Sequence, residues 1–245
     1  MKKETNVTVN LGIPSMYDES INSAMSFKRR MIHRPYLNMI SRMFEVKKDF
    51  RLLDIGCSTG SFLFFCEKRF AYAHLHGLEY DKRLIELTQD LLTKSDVAQG
   101  NAEKLPYPDN YFDVITSFQV IEHLYNPSKM IDEVMRCLKC GGLFILTTPN
   151  LNSLGAKVHK SEWSGFRDDH VSLKKCDDWT QLLKDHGFSE LKTGTTFMSG
   201  LRLFKVFPFS VINNLLLVLF GSINWRFGES YVGYFVQAKS KELVK

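Results

Sequence analysis

Two rhythms of apolar and polar positions alternate along this chain, and the switches between them lay out its elements. Short apolar runs of strand length recur at residues 52–55, 74–78, 112–117 and 143–147, while residues 61–69, 82–92 and 127–138 repeat apolar positions at helical spacing. A further helix is expected over 177–186, ending at Gly187 as a C-cap, and two last strands at 189–196 and 230–238. Ahead of this series, residues 17–44 suit one or two helices, with Tyr36, Leu37, Ile40 and Met43 or Phe44 at helical spacing. Strand–helix alternation argues for an α/β fold: a parallel sheet with helices on both faces.

The first strand runs into RLLDIGCSTGSF, residues 51–62, where an apolar run meets an acidic residue, two glycines and small polar residues before the next apolar run. In an open α/β sheet such a loop lies at the carboxyl ends of the strands, where ligands bind. A phosphate-binding P-loop would end in Gly-Lys-Ser/Thr, but Gly60-Ser61-Phe62 offers no lysine. The dinucleotide spacing G-x-G-x-x-G is not matched by Gly56-Cys57-Ser58-Thr59-Gly60-Ser61. Asp54, just before the loop, suits the ammonium or sulfonium of a cationic amino-acid cofactor better than a pyrophosphate. Glu79 closes the second strand, where a carboxylate can grip ribose hydroxyls.

Three later segments choose among the nucleosides: GNAEKLPYPDNYFDVITSFQVIEHL (100–124), LKCGGLFILTTPN (138–150) and DHVSLKK (169–175). With them the chain resembles the class I S-adenosylmethionine-dependent methyltransferases, in particular the small-molecule, lipid or glycan O-methyltransferase branch. The resemblance covers about residues 51–150 in the family's order. It departs at Ser58, where a second glycine is usual, at Asn101 in place of an aspartate, and at Cys140 in place of a proline.

The resemblance implies a Rossmann-like, seven-stranded, mostly parallel sheet with an antiparallel last strand, and S-adenosyl-L-methionine as cofactor, leaving as S-adenosyl-L-homocysteine. By resemblance Asp54, Gly56, Cys57, Ser58 and Gly60 line its methionine end. Glu79 holds the ribose with Tyr80 beside it, Asn101 and Ala102 meet the adenine, and Phe118 and Gln119 face the methyl-donor side. His123 and His170 are the candidate general bases for a hydroxyl acceptor. No Asn/Asp-Pro-Pro-Tyr turn or Pro-Cys nucleophile follows the fourth strand, and the lone Cys137-x-x-Cys140 pair does not make a metal site, so none is expected. A non-catalytic cofactor-binding or membrane-docking module, and an RNA or protein methyltransferase, remain the alternatives.

Charge refines where partners would sit. Residues 1–51 hold ten of the 32 basic and five of the 27 acidic side chains, leaving 22 of each in the rest. The net charge of +5 is therefore an N-terminal feature, centred on Lys28, Arg29, Arg30 and Arg34. Either it is a solvated helix face or it meets anions such as lipid headgroups. The neutral remainder disfavours nucleic acid. No acidic residue lies between Glu190 and Glu229, and that gap contains the apolar stretch 204–225. Pro208 and Asn213-Asn214 interrupt it, so it reads as a substrate-covering, interfacial or subunit-facing insertion at about 200–228 rather than a membrane span. The expected layout is a helical cap (1–50) and a methyltransferase domain (51–245), with a small or lipid-linked acceptor, peripheral membrane contact and a homodimer as expected partnerships. The five cysteines form no framework and residues 1–10 lack an apolar leader core, so a reducing cytoplasmic setting, with membrane association, is expected.

Overall fold

The computed structural model describes residues 27–44, 49–196, 208, 211, 212, 215 and 226–237. Seven strands form one sheet: β1 (Arg51–Ile55), β2 (His74–Glu79), β3 (Ser95–Gln99), β4 (Phe112–Phe118), β5 (Leu138–Pro149), β6 (Phe188–Thr195) and β7 (Ser230–Gln237). Their spatial order is β3-β2-β1-β4-β5-β7-β6. β1 pairs in parallel with β2 and β4, and only β7, the last strand, runs antiparallel to its neighbours. This is the Rossmann-like sheet expected from the sequence. Strand order reverses between β1 and β4, so the loops leaving those two strands share one crevice.

Successive residues of a strand face opposite sides, and here both sides are covered. Leu53, Ile55, Ile115, Phe144 and Leu146 pack with Met130, Ile131 and Val134 of α4 (Pro127–Cys137) and Trp179 and Leu183 of α6 (Cys176–Asp185). Leu52, Val114, Leu143 and Ile145 pack with α2 (Ser61–Arg69) and with Tyr36, Leu37 and Ile40 of α1 (Phe27–Met43). The helical face expected near residue 40 is therefore a lid on one side of the sheet. α3 (Lys82–Leu91) joins β2 to β3, and a short α5 (Leu154–His159) follows β5.

Two elements have no signature in the apolar pattern. α5 spans only six residues. β3, SDVAQ, is an edge strand whose residues are half-buried or exposed. Polar bonds supply what its sequence lacks. Glu67 of α2 is buried, and its carboxylate accepts hydrogen bonds from Thr93 N, Thr93 Oγ1, Lys94 N (2.8 Å) and Ser95 Oγ (2.8 Å), tying the helix to the start of β3. A further difference lies in LKCGG. β5 begins at Leu138, directly after α4, and the register jumps from Phe112↔Leu138 to Val114↔Leu143, so residues 139–142 bulge out with Gly141 at φ 76°.

Most of the apolar insertion at 200–228 lies outside the described residues; within it Val211, Ile212 and Leu215 are exposed. No helix among the described residues is long and apolar enough to cross a membrane.

Burial alone would raise the Glu67 carboxyl, but its hydrogen bonds outweigh burial and hold it below the usual glutamate range. Because the folded carboxyl is the more acidic, the stability it adds is complete above the unfolded glutamate pKa and is lost as pH falls through the lower, folded value. Glu67→Gln is expected to cost about 1–3 kcal/mol in urea unfolding at pH 7, with the difference from wild type shrinking in acid.

Candidate active site

Past Ile55 the chain enters a left-handed loop: Gly56 at φ 69°, Ser58 at φ 51° and Gly60 at φ 75°. Gly56 is required by a close approach. A Cβ there would sit 2.3 Å from Cγ2 of Val120, so the loops after β1 and β4 touch at this residue. The amides of Gly56 and Cys57 both donate to the Leu78 carbonyl, at 2.7 and 3.1 Å. Ser58, which replaces a glycine, tolerates the left-handed backbone, and its amide donates to Glu79 Oε2 at 2.9 Å. Glu79 Oε1 accepts from the amides of Tyr80 (2.8 Å) and Asp81 (3.0 Å). One carboxylate therefore clamps the loop onto the end of β2.

Asp54 stands behind the loop, 2% exposed, accepting a 2.7 Å hydrogen bond from Thr116 Oγ1. Burial pushes its carboxyl up to about 7, Thr116 pulls it down, and the neighbouring Glu79 raises it further. Two carboxylates thus converge where electropositive donors are backbone amides. Cys57 turns inward, with its thiol raised by burial. At the next strand end Asn101 is exposed; its Oδ1 accepts from the Glu103 amide at 2.8 Å, and Ala102 packs on the core. Tyr80 is exposed beside Glu79.

The loop after β4 builds the other wall. Phe118 packs against Tyr36 and Phe62, with ring centroids 4.8 Å apart in each case. Gln119, at φ 58°, is held by its amide on the Thr147 carbonyl and by its side chain on Thr147 Oγ1. A 3₁₀ turn, Ile121–His123, then carries Glu122 and His123. Glu122 is fully buried: Oε2 accepts from Thr148 Oγ1 at 2.9 Å, while Oε1 has no hydrogen-bond partner among the described residues. Burial pushes this carboxyl up to about 7 against the pull of its own backbone amide and Thr148.

The two candidate histidines, 47 positions apart in sequence, meet with ring centroids 4.7 Å apart. His123 Nδ1 donates to the Asp169 carbonyl (3.0 Å), and His170 Nδ1 to the Gly165 carbonyl (2.8 Å). Burial holds the His170 imidazole below its ordinary pKa. Both line a cleft of about 360 Å³ with Gln119, Glu122, Trp163 and Arg167. Trp163 Nε1 donates to Glu229 Oε1, and Arg167 grips Asp169 with two bonds of 3.0 Å. A broader hollow of about 570 Å³, lined by Lys160, Phe166 and Arg167, adjoins it across His170.

Four residues here were not singled out by the sequence. Glu122 was visible only as part of an E-H pair, and Trp163 and Glu229 lie far apart in the chain. His33 of α1 shares the helical face of Tyr36, Leu37 and Ile40; its Nε2 lies 3.2 Å from Ser61 Oγ, and burial, then Arg29, lower it to about 4.

Residues 53–146 match the family described as "Methyltransferase domain". A probable S-adenosylmethionine-dependent methyltransferase of Mycolicibacterium smegmatis is 39% identical over 117 residues, covering 46% of this chain and 42% of that protein. A demethylmenaquinone methyltransferase of Listeria welshimeri is 27% identical, covering 74% of this chain and 86% of its own. The chain spans about half the length of that Mycolicibacterium protein and of several other curated relatives it matches. Among solved structures, a putative methyltransferase in complex with the Haloferax volcanii Trm112 activator superposes with a TM-score of 0.66 at 16% identity, covering 91% of this chain and 96% of that one.

Asp54→Asn keeps the acceptor for Thr116 and removes a buried charge. A carboxyl raised to about 7 weakens the fold as pH climbs from the unfolded aspartate value through 7. The variant is therefore expected to unfold at higher denaturant than wild type at pH 8, with the gain gone by about pH 4, as read by fluorescence-monitored unfolding.

The matched segment, the 3-2-1-4-5-7-6 sheet and the acidic glycine loop at its switch point agree: residues 53–146 carry a methyltransferase domain similar to those of S-adenosylmethionine-dependent methyltransferases.

Proposed function

We propose that this chain methylates an acceptor hydroxyl seated beside His123 and His170, drawing the methyl group from S-adenosylmethionine held at the loop after β1. The observation that carries the reading is the close approach of Gly56 to Val120, which sets the acidic loop after β1 beside the segment that leads into the histidine cleft. The crevice fits the cofactor's chemistry: Glu79 stands beside the loop, Asp54 behind it is a buried carboxyl that a bound cation would hold ionised, and left-handed glycines admit the ligand close to the backbone. When bound, the cofactor supplies a methyl carbon activated by its sulfonium.

The remaining work belongs to the chain. Glu79 would accept from the ribose, with Oε2, which holds a single amide, the better-placed oxygen. Gly56, Cys57, Ser58 and Gly60 would shape the methionine end, with Tyr80 over the ribose and Asn101 and Ala102 at the adenine. Phe118 and Gln119 would wall the methyl-donor side. Alignment of the acceptor supplies most of the rate gain, since the reaction is an in-line displacement. His123 and His170 each donate Nδ1–H to a carbonyl, so each presents Nε2 as the basic nitrogen able to take the hydroxyl proton.

A small or lipid-linked acceptor is favoured by the exposed Val211, Ile212 and Leu215 of the insertion, and one relative is named for demethylmenaquinone. In this reading residues 1–50 act as a cap, the insertion covers the acceptor, and membrane contact is peripheral.

Glu79→Ala is expected to weaken S-adenosylmethionine binding at least tenfold, about 1.4 kcal/mol, in isothermal titration calorimetry; unchanged affinity would contradict the ribose assignment. Incubating the chain with methyl-labelled cofactor and separate lipid, small-metabolite and RNA fractions should place label in the first or second. Label confined to RNA would overturn the acceptor reading.

A further inference from the structure

The cleft holds a group of side chains whose chemistry exceeds that of a general base. One oxygen or nitrogen from each of Glu122, His123 and His170 lies within 4.8 Å of the others. Their orientation is set from behind. His123 Nδ1 and His170 Nδ1 donate to the carbonyls of Asp169 and Gly165, so both rings hold the tautomer with a lone pair on Nε2. The Asp169 carboxylate adds a contact of 3.4 Å to His123 Nδ1. Imidazoles braced by a carbonyl or carboxylate on the far nitrogen are the arrangement that metal-ligating histidines use.

Glu122 gives the independent observation. Its side chain has no exposed surface, Thr148 satisfies Oε2, and Oε1 is buried with no hydrogen-bond partner among the described residues. A buried carboxylate oxygen left in that state is costly and needs a cation or a donor. Arg167, the nearby guanidinium, is turned onto Asp169 through two hydrogen bonds.

We propose that Glu122, His123 and His170 form a binding site for a divalent first-row transition-metal ion, such as Zn²⁺ or Mn²⁺, at the floor of the acceptor cleft. Two imidazole nitrogens and one carboxylate oxygen are ligands for these ions rather than for Ca²⁺, which takes six to eight oxygens. Ligands about 2.1 Å from a shared ion lie roughly 3.4 Å apart in a tetrahedral site. Bringing atoms within 4.8 Å of one another to that spacing asks for approaches of about 1.4 Å at most. Three protein ligands leave at least one position open toward the cleft, the pattern of catalytic rather than structural zinc sites. An acceptor oxygen entering that position would be polarised by the ion, which would then replace the histidines as the activating group, because an Nε2 bound to the ion no longer takes a proton. That consequence rests on the methyl-transfer reading; the ion site does not.

The test uses the full chain, stripped with a chelator and titrated with CoCl₂. Expected is one equivalent of Co²⁺ bound with a visible absorption of low coordination number, displaced by Zn²⁺. Glu122→Gln, which keeps an acceptor for Thr148, and His170→Asn, at a partly exposed position, should each weaken Co²⁺ at least about tenfold while thermal unfolding shows a folded chain. Absence of the band up to millimolar Co²⁺, or wild-type affinity in both folded variants, would overturn the site. S-adenosylmethionine binding, measured on the same samples by calorimetry, reports separately: its absence with the cobalt band intact would count against the proposed function and leave the metal site standing.

Discussion

The carboxylate of Glu79 holds the rest of the crevice in place. It accepts from the amides of Ser58, Tyr80 and Asp81, so the turn out of β1 and the turn out of β2 are two ends of one hydrogen-bonded unit. With the Leu78 carbonyl taking the Gly56 and Cys57 amides, the loop has little freedom except in left-handed backbone. That geometry brings Gly56 against Val120, and through Val120 fixes where the loop after β4 and its turn begin. Loss of the clamp would therefore disturb both the proposed cofactor crevice and the histidine cleft.

Three buried carboxylates separate architecture from function. Glu67 is surrounded by donors from the start of β3, and its carboxyl is held low; it is a structural tie. Asp54 and Glu122 are buried with fewer donors, and both are pushed up to about 7. Burial is common to all three, so satisfaction of the oxygens decides the direction. Asp54 keeps one donor, Thr116, and Glu122 leaves Oε1 without a partner among the described residues, so both mark places where a cationic ligand would offset the cost of burial. One lies behind the loop after β1 and the other lines the histidine cleft, on opposite sides of the Gly56–Val120 contact.

Much of the sheet was legible because both its faces are buried. Runs such as LLDI and FDVITS are apolar enough to announce strands, and the helix over Ser61–Arg69 has the bounds its periodicity suggests. β3 was hidden because an edge strand half-covered by polar neighbours needs no apolar pattern, and its anchor, Glu67, lies 26 residues or more upstream of its partners. The bulge at Lys139–Gly142 read as a turn because Gly-Gly signals both. At the site, the glycine loop was legible from local residue types alone. His123 and His170 were legible singly, but their meeting depends on where the segment after β5 folds back, and spacing does not encode that. Glu122 was masked by its place among apolar neighbours, where a carboxylate shows its importance only once burial is known.

If the Glu79-clamped loop seats the cofactor, as we propose, ligand binding will quiet its backbone. Hydrogen–deuterium exchange of the full chain, with and without saturating S-adenosylhomocysteine, measures this. Slower exchange in the ligand's presence is expected at the amides of residues 56–60, Tyr80 and Asp81, and around Asn101–Lys104, with α6 unaffected. Unchanged exchange across all three loops at saturation, or protection confined to another part of the chain, would contradict it.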